Sequence, residues 1–123
     1  MKKSTLPTRL LALGAVFATA ATLAVTRLSL EDALEMQRAS TSEVRAFLTR
    51  FDALSRPFPY DVLREALPGI SLAFREAGHI LGSASVEVRS ARSSALVSGD
   101  LGRPGAPILR DPNTTWDMSR PFD

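Results

Sequence analysis

The hydrophobic pattern of the sequence changes once, close to Ile70, and this change limits the folds that the chain can adopt. Before it, apolar residues recur at helical spacing, first in residues 22–38 and then from a start at Thr41 or Ser42. After it, apolar and polar residues alternate in three short stretches, which are residues 70–78, 84–89 and 94–98. This alternation is typical of strands. The sequence therefore predicts a mixed α/β chain in which two helices precede three strands joined as hairpins.

Each predicted helix has one apolar face. Thr19 or Thr22 can cap the first helix, and Glu43 lies in the first turn of the second, where a negative charge is favourable. The face of the first helix is expected to contain Leu23, Leu28, Leu30, Leu34 and Met36. The face of the second is expected to contain Val44, Phe47, Leu48 and Phe51. We interpret both faces as core or interface, and expect the helices to cover one face of the sheet.

Prolines and glycines mark the breaks between these elements. The prolines of residues 56–60 favour extended backbone, and Pro68-Gly69 is a turn. Residues 61–67 are ambiguous. The last twenty residues contain four prolines and no periodicity, so they are predicted to be loop.

The composition is that of a globular protein, with 45% apolar and 23% charged residues. The net charge of +2 comes without any basic block, so composition alone gives little support for nucleic-acid binding. The chain has no cysteine, which excludes disulfides and thiolate zinc sites, and it has 1 histidine. Any metal site made by this chain must therefore rely on His79 and carboxylates.

The N-terminus fits two interpretations. Two lysines, an apolar run over residues 10–25 and the small residues 18–20 outline a secretory signal peptide. The run is too short and too rich in Ala and Thr for a membrane-spanning helix. Alternatively, residues 14–18 form a short buried strand that leads into the first helix. The pattern of residues by itself leaves both interpretations open.

His79 and Asp100 are the residues best suited to chemistry. His79 follows a predicted strand and lies between Gly78 and Gly82, and Asp100 follows another strand directly after Gly99. Imidazole and carboxylate are ligands for zinc, or for manganese where oxygens predominate. Glycines allow the sharp bends that bring a metal close to strand ends. The alternative is a histidine bonded to a backbone carbonyl and an aspartate in a glycine-rich turn.

The surrounding sequence resembles a known family. Residues 77–84, Ala-Gly-His-Ile-Leu-Gly-Ser-Ala, and residues 97–112, which begin Val-Ser-Gly-Asp-Leu-Gly-Arg, resemble the metallo-β-lactamase domain of the β-CASP RNA-processing nucleases. The resemblance implies that His79 is a metal ligand and that Asp100 bridges two zinc ions. It also implies that Gly78, Gly82 and Gly99 shape the metal loops.

A looser resemblance extends over most of the remaining chain, including residues 6–36. It implies that residues 1–123 are part of a metallo-β-lactamase domain, a fragment of its αββα sandwich with two helices and then mainly antiparallel short strands. The signal-peptide outline would then be accidental, and a cytoplasmic location without membrane association is expected.

Several parts of the family pattern are not found in the sequence. The His-x-His-x-Asp-His motif would precede Leu6, and the β-CASP insertion with a later metal-binding histidine would follow Asp123. A catalytic zinc takes three protein ligands and a water, and a two-metal site needs more. Asp111 and Asp117 could add oxygens from a loop. The chain by itself is expected to lack a complete zinc site and to be inactive.

Three functions follow from these observations. The first is a truncated metallo-β-lactamase-fold hydrolase that resembles zinc-dependent nucleases, with RNA as the substrate of the intact family. The second is a non-catalytic remnant that binds RNA, a partner subunit or another copy of itself. The third is a small exported protein with a cleaved signal peptide.

The functions of three polar residues near the metal motifs can each be interpreted in two ways. Arg103 and Arg110 could contact RNA phosphates, or they are solvated loop residues. Ser83 is not expected to be a nucleophile, because the sequence contains no second histidine to activate it. Its small side chain is instead expected to allow close packing under the metal loop.

Overall fold

The computed structural model describes residues 14–116 and Phe122, and this part of the chain is mixed α/β. Its elements in chain order are β1 (Val16–Ala18), α1 (Ala20–Met36), α2 (Thr41–Leu54), β2 (Ser55–Pro57), β3 (Arg64–Leu67), β4 (Ile70–Glu76), β5 (Ala84–Arg89) and β6 (Ser94–Val97). The two predicted helices and the three predicted strands after Ile70 are confirmed. Residues 101–116 contain no helix or strand, as the prolines predicted.

Helix α1 begins after Thr19, whose side chain accepts a hydrogen bond from the N–H of Thr22. Of its predicted apolar face, Leu23, Leu30 and Leu34 are half-buried. Leu28 and Met36 are exposed, so their assignment to this face was wrong. At about 100° per residue, neither lies within a quarter turn of the line through Leu23, Leu30 and Leu34.

Helix α2 begins after Ser40, one residue before the predicted cap at Thr41 or Ser42. Ser40 and Glu43 form a reciprocal capping box in which each side chain bonds the backbone N–H of the other. The Ser40 hydroxyl and then its N–H lower the pKa of the Glu43 carboxyl. Val44 and Leu48 are buried, so the predicted face is confirmed at these two positions, whereas Phe47 is exposed.

Strands β3, β4, β5 and β6 form one antiparallel sheet in that order. Strand β3 lies within the segment that the sequence left ambiguous. Because β5 runs opposite to both neighbours, β4 and β6 run in the same direction and end at the same edge of the sheet. His79 follows β4 and Asp100 follows β6, so the topology brings the two residues to one edge.

Strands β1 and β2 pair in parallel and form a separate two-stranded sheet. Strand β1 is only partly buried, in contrast to the buried strand predicted there. The ring centroids of Phe17 and Phe58 are 5.5 Å apart, and those of Phe58 and Phe74 are 5.4 Å apart. These aromatic contacts join the small sheet to the apolar face of the large one.

The other face of the large sheet is polar and more deeply buried at its centre. Glu87 on β5 is 1% exposed and lies between two arginines. Its carboxylate accepts hydrogen bonds from Nε of Arg75 at 2.8 Å and from Nε of Arg89 at 3.1 Å. Arg75 also pairs with Asp61 at 3.3 Å. Val86 and Val88 share the opposite face, as their alternation predicted, but they are only half-buried.

In the part of the chain that the structure describes, neither helix is long and apolar enough to cross a membrane.

Candidate metal site

The loop between β4 and β5 carries His79 and begins with a tight bend at Gly78. Gly78 has a φ of +63°, and a Cβ there would lie 2.8 Å from the carbonyl oxygen of Arg110 and from the ring of Pro112. The Gly78 N–H donates to the side chain of Glu76 at 3.0 Å. A residue without a side chain is therefore required where the backbone turns toward His79.

Ser83 closes this loop through its side chain. Its hydroxyl oxygen accepts hydrogen bonds from the N–H groups of His79 at 3.1 Å and Ile80 at 3.2 Å. Its own N–H donates to the carbonyl of Ile80 at 3.0 Å. The hydroxyl therefore holds the turn that presents His79, which gives this small residue a structural role under the loop.

Three residues that the sequence reasoning did not assign to the site also hold the loop. The hydroxyls of Thr19 and Thr22 donate to the carbonyl of Gly82 at 2.7 and 2.8 Å. The hydroxyl of Tyr60 donates to the carbonyl of Ser83 at 2.9 Å. The helix-capping pattern identified Thr19 and Thr22 as caps, but no local signal connects them to a loop about sixty residues later.

Asp100 lies in a more open loop after β6. Gly99 has a φ of +59°, and the preceding carbonyl of Ser98 accepts a hydrogen bond from the Ser85 hydroxyl at 2.9 Å. The N–H of Gly102 donates to the carbonyl of Ala77 at 2.8 Å, which ties this loop to the His79 loop. A Cβ on Gly102 would overlap the carbonyl group of Gly78. The two loops are therefore in direct backbone contact.

His79 and Asp100 meet where these loops touch. Nε2 of His79 lies 3.8 Å from Oδ2 of Asp100, and the side chains are 46% and 87% exposed. No group of three or more His, Cys, Asp and Glu side chains within the described residues could hold a metal ion. Asp111 accepts a hydrogen bond from the Gly105 N–H at 2.7 Å, while Asp117 lies outside the described residues. The described chain therefore brings together two potential ligands.

The two candidate arginines lie in different places. Arg103 borders an open depression of about 380 Å³ that also includes His79, Gly78 and Gly102. Arg110 borders a neighbouring cavity of about 490 Å³ with Tyr60 and Glu76. Both arginines are exposed. Of the two, Arg103 shares a surface with the candidate metal ligand.

Tyr60, which borders the second cavity, has a shifted pKa. Burial of the phenol raises its pKa above the ordinary value, and the negative charge of Glu76 adds to this effect. The shift extends to more alkaline pH the range in which the hydroxyl is protonated and can donate to the Ser83 carbonyl.

Comparison with known proteins gives one finding on function. No protein-family model matches the chain. The sequence is 36% identical over 104 residues to ribonuclease TTHA0252 of Thermus thermophilus, an alignment that covers 81% of this chain and 23% of that protein. The chain thus spans about a quarter of the length of the curated relative it matches. Its similarity to a ribonuclease supports a nuclease-like function.

Proposed function

We propose that the chain is part of a metallo-β-lactamase-fold nuclease of the β-CASP type, and that His79 and Asp100 are ligands of its zinc centre. The observation that carries this proposal is the meeting of these two side chains at one sheet edge, 3.8 Å apart, in a chain similar to a ribonuclease. Hydrolysis of RNA phosphodiester bonds is the proposed reaction, and the cytoplasm is the proposed location.

The two side chains fit zinc in chemistry and come close to it in spacing. Zinc–nitrogen and zinc–carboxylate bonds are each about 2.0–2.2 Å long, so a tetrahedral ion holds two ligand atoms about 3.4 Å apart. Nε2 and Oδ2 are 3.8 Å apart, and a small rotation of the exposed Asp100 side chain would bring them to that distance. A bound zinc would supply a nucleophilic hydroxide at neutral pH and would polarise the phosphate.

The residues of this chain have separate tasks in the proposed reaction. His79 and Asp100 would bind the metal ion. The bends at the neighbouring glycines leave both side chains exposed to solvent, where an RNA strand can reach them. The guanidinium of Arg103 borders the same depression and is suited to orient a phosphate. Further ligands must come from residues outside the described part of the chain or from another chain, because a catalytic zinc takes three protein ligands.

The presence of only two potential ligands within the described residues favours a second candidate, which is an RNA- or partner-binding protein without turnover. In that case the exposed arginines would bind phosphates, and His79 would have no catalytic effect.

An assay of the native protein distinguishes the two candidate functions. The protein would be purified from its own organism through an affinity tag added to the chromosomal gene. Its mass would be measured, and its cleavage of labelled RNA assayed with a chelator and after return of zinc. We expect zinc-dependent cleavage that falls more than about 100-fold in His79→Ala, since even residues behind a ligand contribute about 10–100-fold. Glu35→Gln, an exposed change on α1, is the matched control. RNA binding without cleavage would support the second candidate, and full cleavage by His79→Ala would contradict the first.

A further inference from the structure

Three hydroxyl groups from outside the His79 loop bind two successive carbonyls at its end. Thr19 and Thr22 bind the Gly82 carbonyl, and Tyr60 binds the Ser83 carbonyl. We call these three side chains the hydroxyl clamp. We infer that the hydroxyl clamp positions His79 for metal binding, an inference that rests on the proposed function.

The Gly82 carbonyl oxygen has a hydrogen-bond donor for each of its two lone pairs. A carbonyl oxygen has two lone pairs, and two hydroxyls lie within 2.8 Å of this one. Both hydroxyls come from the start of α1, where the positive end of the helix favours a carbonyl oxygen. Thr19 is also buried, so its bond to the carbonyl is shielded from competition with water.

Gly82 itself is shaped for this contact. Its φ is +87°, and a Cβ at this position would lie 2.8 Å from the Ala21 side chain and 2.9 Å from the Thr22 nitrogen. The loop backbone therefore approaches the start of α1 as closely as a residue without a side chain permits. This close approach explains how two short threonine side chains reach the carbonyl.

The clamp acts on His79 through Ser83. Tyr60 fixes the Ser83 carbonyl, and the threonines fix the residue before it. The Ser83 hydroxyl then binds the N–H of His79 at 3.1 Å, which sets where the histidine backbone lies. The clamp residues are therefore positioning residues, and none of them is a ligand.

The histidine ring can be observed alone, because His79 is the only histidine among the 123 residues. The full chain would be labelled with 13C-histidine, and the relaxation of the ring Cε1–H measured without metal. Zinc would then be added while the same resonance is followed. The variants are Thr22→Val, which removes one hydroxyl at constant shape, Thr22→Ser, which keeps it, and Tyr60→Phe. Thr49→Val is the control, since the Thr49 hydroxyl binds the Arg45 carbonyl of its own helix and, among the described residues, makes no bond to the His79 loop.

We expect Thr22→Val and Tyr60→Phe to increase the ring mobility and to raise the zinc concentration at half-saturation about three- to tenfold. Residues that hydrogen-bond directly to a metal-ligating side chain typically change metal affinity about 10–100-fold. The change expected here is smaller, because the clamp acts on His79 through the backbone. Thr22→Ser and Thr49→Val should match the parent within about twofold, and urea titration of each variant separates positioning from loss of stability.

Failure of this inference is distinguishable from failure of the proposed function. Two ligands without a third bind zinc weakly, so the titration extends well above the zinc concentrations that fill a complete site. A parent ring that does not respond even there contradicts the role of His79 as a ligand and thereby also the positioning inference. A parent ring that responds, together with unchanged mobility and unchanged zinc dependence in both clamp variants, overturns the positioning inference alone.

Discussion

The two loops that carry His79 and Asp100 leave the same edge of the sheet but are held in different ways. The His79 loop is fixed by Ser83 from within and by Thr19, Thr22 and Tyr60 from outside. The Asp100 side chain is 87% exposed, with the His79 ring 3.8 Å away. The backbone of one potential ligand is therefore held by the fold, while the side chain of the other is free to rotate toward an ion.

This difference gives the two residues separate parts in the proposed metal binding. The ordered His79 loop limits the entropy lost on binding, because its backbone is in place before the ion arrives. The exposed carboxylate of Asp100 can adjust its rotamer to the position that the ion requires. The following predictions test how separate the two loops are, from the largest expected effect to the smallest.

Glu87→Gln is expected to have the largest effect, and to disturb both loops alike. Glu87 lies on β5, between the strands that lead to the two loops, and its buried carboxylate forms ion pairs with Arg75 and Arg89. Removing the charge of a buried, paired group typically lowers the free energy of unfolding by about 3–5 kcal/mol.

Urea denaturation measures this loss, with the exposed Glu35→Gln as a control that should remain within about 0.5 kcal/mol of the parent. Amide chemical shifts of both loops should change together in Glu87→Gln. A change confined to one loop would show that the sheet does not couple them.

Gly102→Ala is expected to separate the two loops. The added Cβ would overlap the Gly78 carbonyl group, and the bond from the Gly102 N–H to Ala77 would be lost as the loops move apart. We expect a loss of about 2–3 kcal/mol in the free energy of unfolding, in the range of overpacked sites.

Gly105→Ala provides the comparison, since its φ is +71° and a Cβ there meets nothing within 4 Å. Gly105→Ala should lower the free energy of unfolding only by the backbone strain of a left-handed residue, about 1–2 kcal/mol. Equal losses in the two variants, measured by urea denaturation, would contradict the close contact at Gly102.

Tyr60→Phe is expected to loosen the His79 loop alone. Loss of one hydrogen bond to Ser83 should lower the free energy of unfolding by about 0.5–1.5 kcal/mol at neutral pH. Exchange rates of the His79 and Ser83 amides should rise, while those in residues 98–102 stay constant. Equal increases of the exchange rates in both loops would contradict the claim that Tyr60 holds the His79 loop and not the Asp100 loop.

The same variant has a defined dependence on pH. Burial and the charge of Glu76 raise the pKa of Tyr60 in the folded state, so the folded protein holds this proton more tightly than the unfolded chain. The associated stability is complete below the unfolded value of about 10 and is lost as the pH rises through the folded pKa. Tyr60→Phe should remove this alkaline loss, which urea midpoints between pH 8 and roughly pH 11 would measure.

The sequence predicted the elements more accurately than their packing. Period-two alternation located the three strands after Ile70 and prolines located the C-terminal loop, because these signals depend on local backbone preferences. Strand β3, in contrast, lies in a segment that the sequence left ambiguous. The exposure of Leu28 follows from helical spacing alone, which places it away from the line through the half-buried leucines. The burial of Glu87 was not predictable from local signals, because it depends on the two arginines that the fold brings close, Arg75 on β4 and Arg89 on β5.

The candidate site was also only partly visible in the sequence. His79, Asp100 and their glycines stand out, since these residue types at strand ends are typical of metal loops. Thr19, Thr22 and Tyr60 are ordinary residues for a helix start and a connecting segment, and their bonds to Gly82 and Ser83 span 63, 60 and 23 residues. Only the three-dimensional arrangement relates them to the loop.

The most direct test of the account is whether His79 and Asp100 bind the same metal ion. Zinc would be titrated into the full chain while the His79 ring resonance is followed, in the parent, in Asp100→Asn and in Asp32→Asn, an exposed change on α1, as the control. Two ligands without a third bind zinc weakly, so the titration extends well above the zinc concentrations that fill a complete site. Asp100 is so exposed that its substitution should alter stability by less than about 0.5 kcal/mol. We predict a saturable response of the parent ring that requires at least about tenfold more zinc in Asp100→Asn, with Asp32→Asn unchanged. A parent ring that responds equally in Asp100→Asn, or that does not respond even at these high concentrations, would contradict a shared metal site.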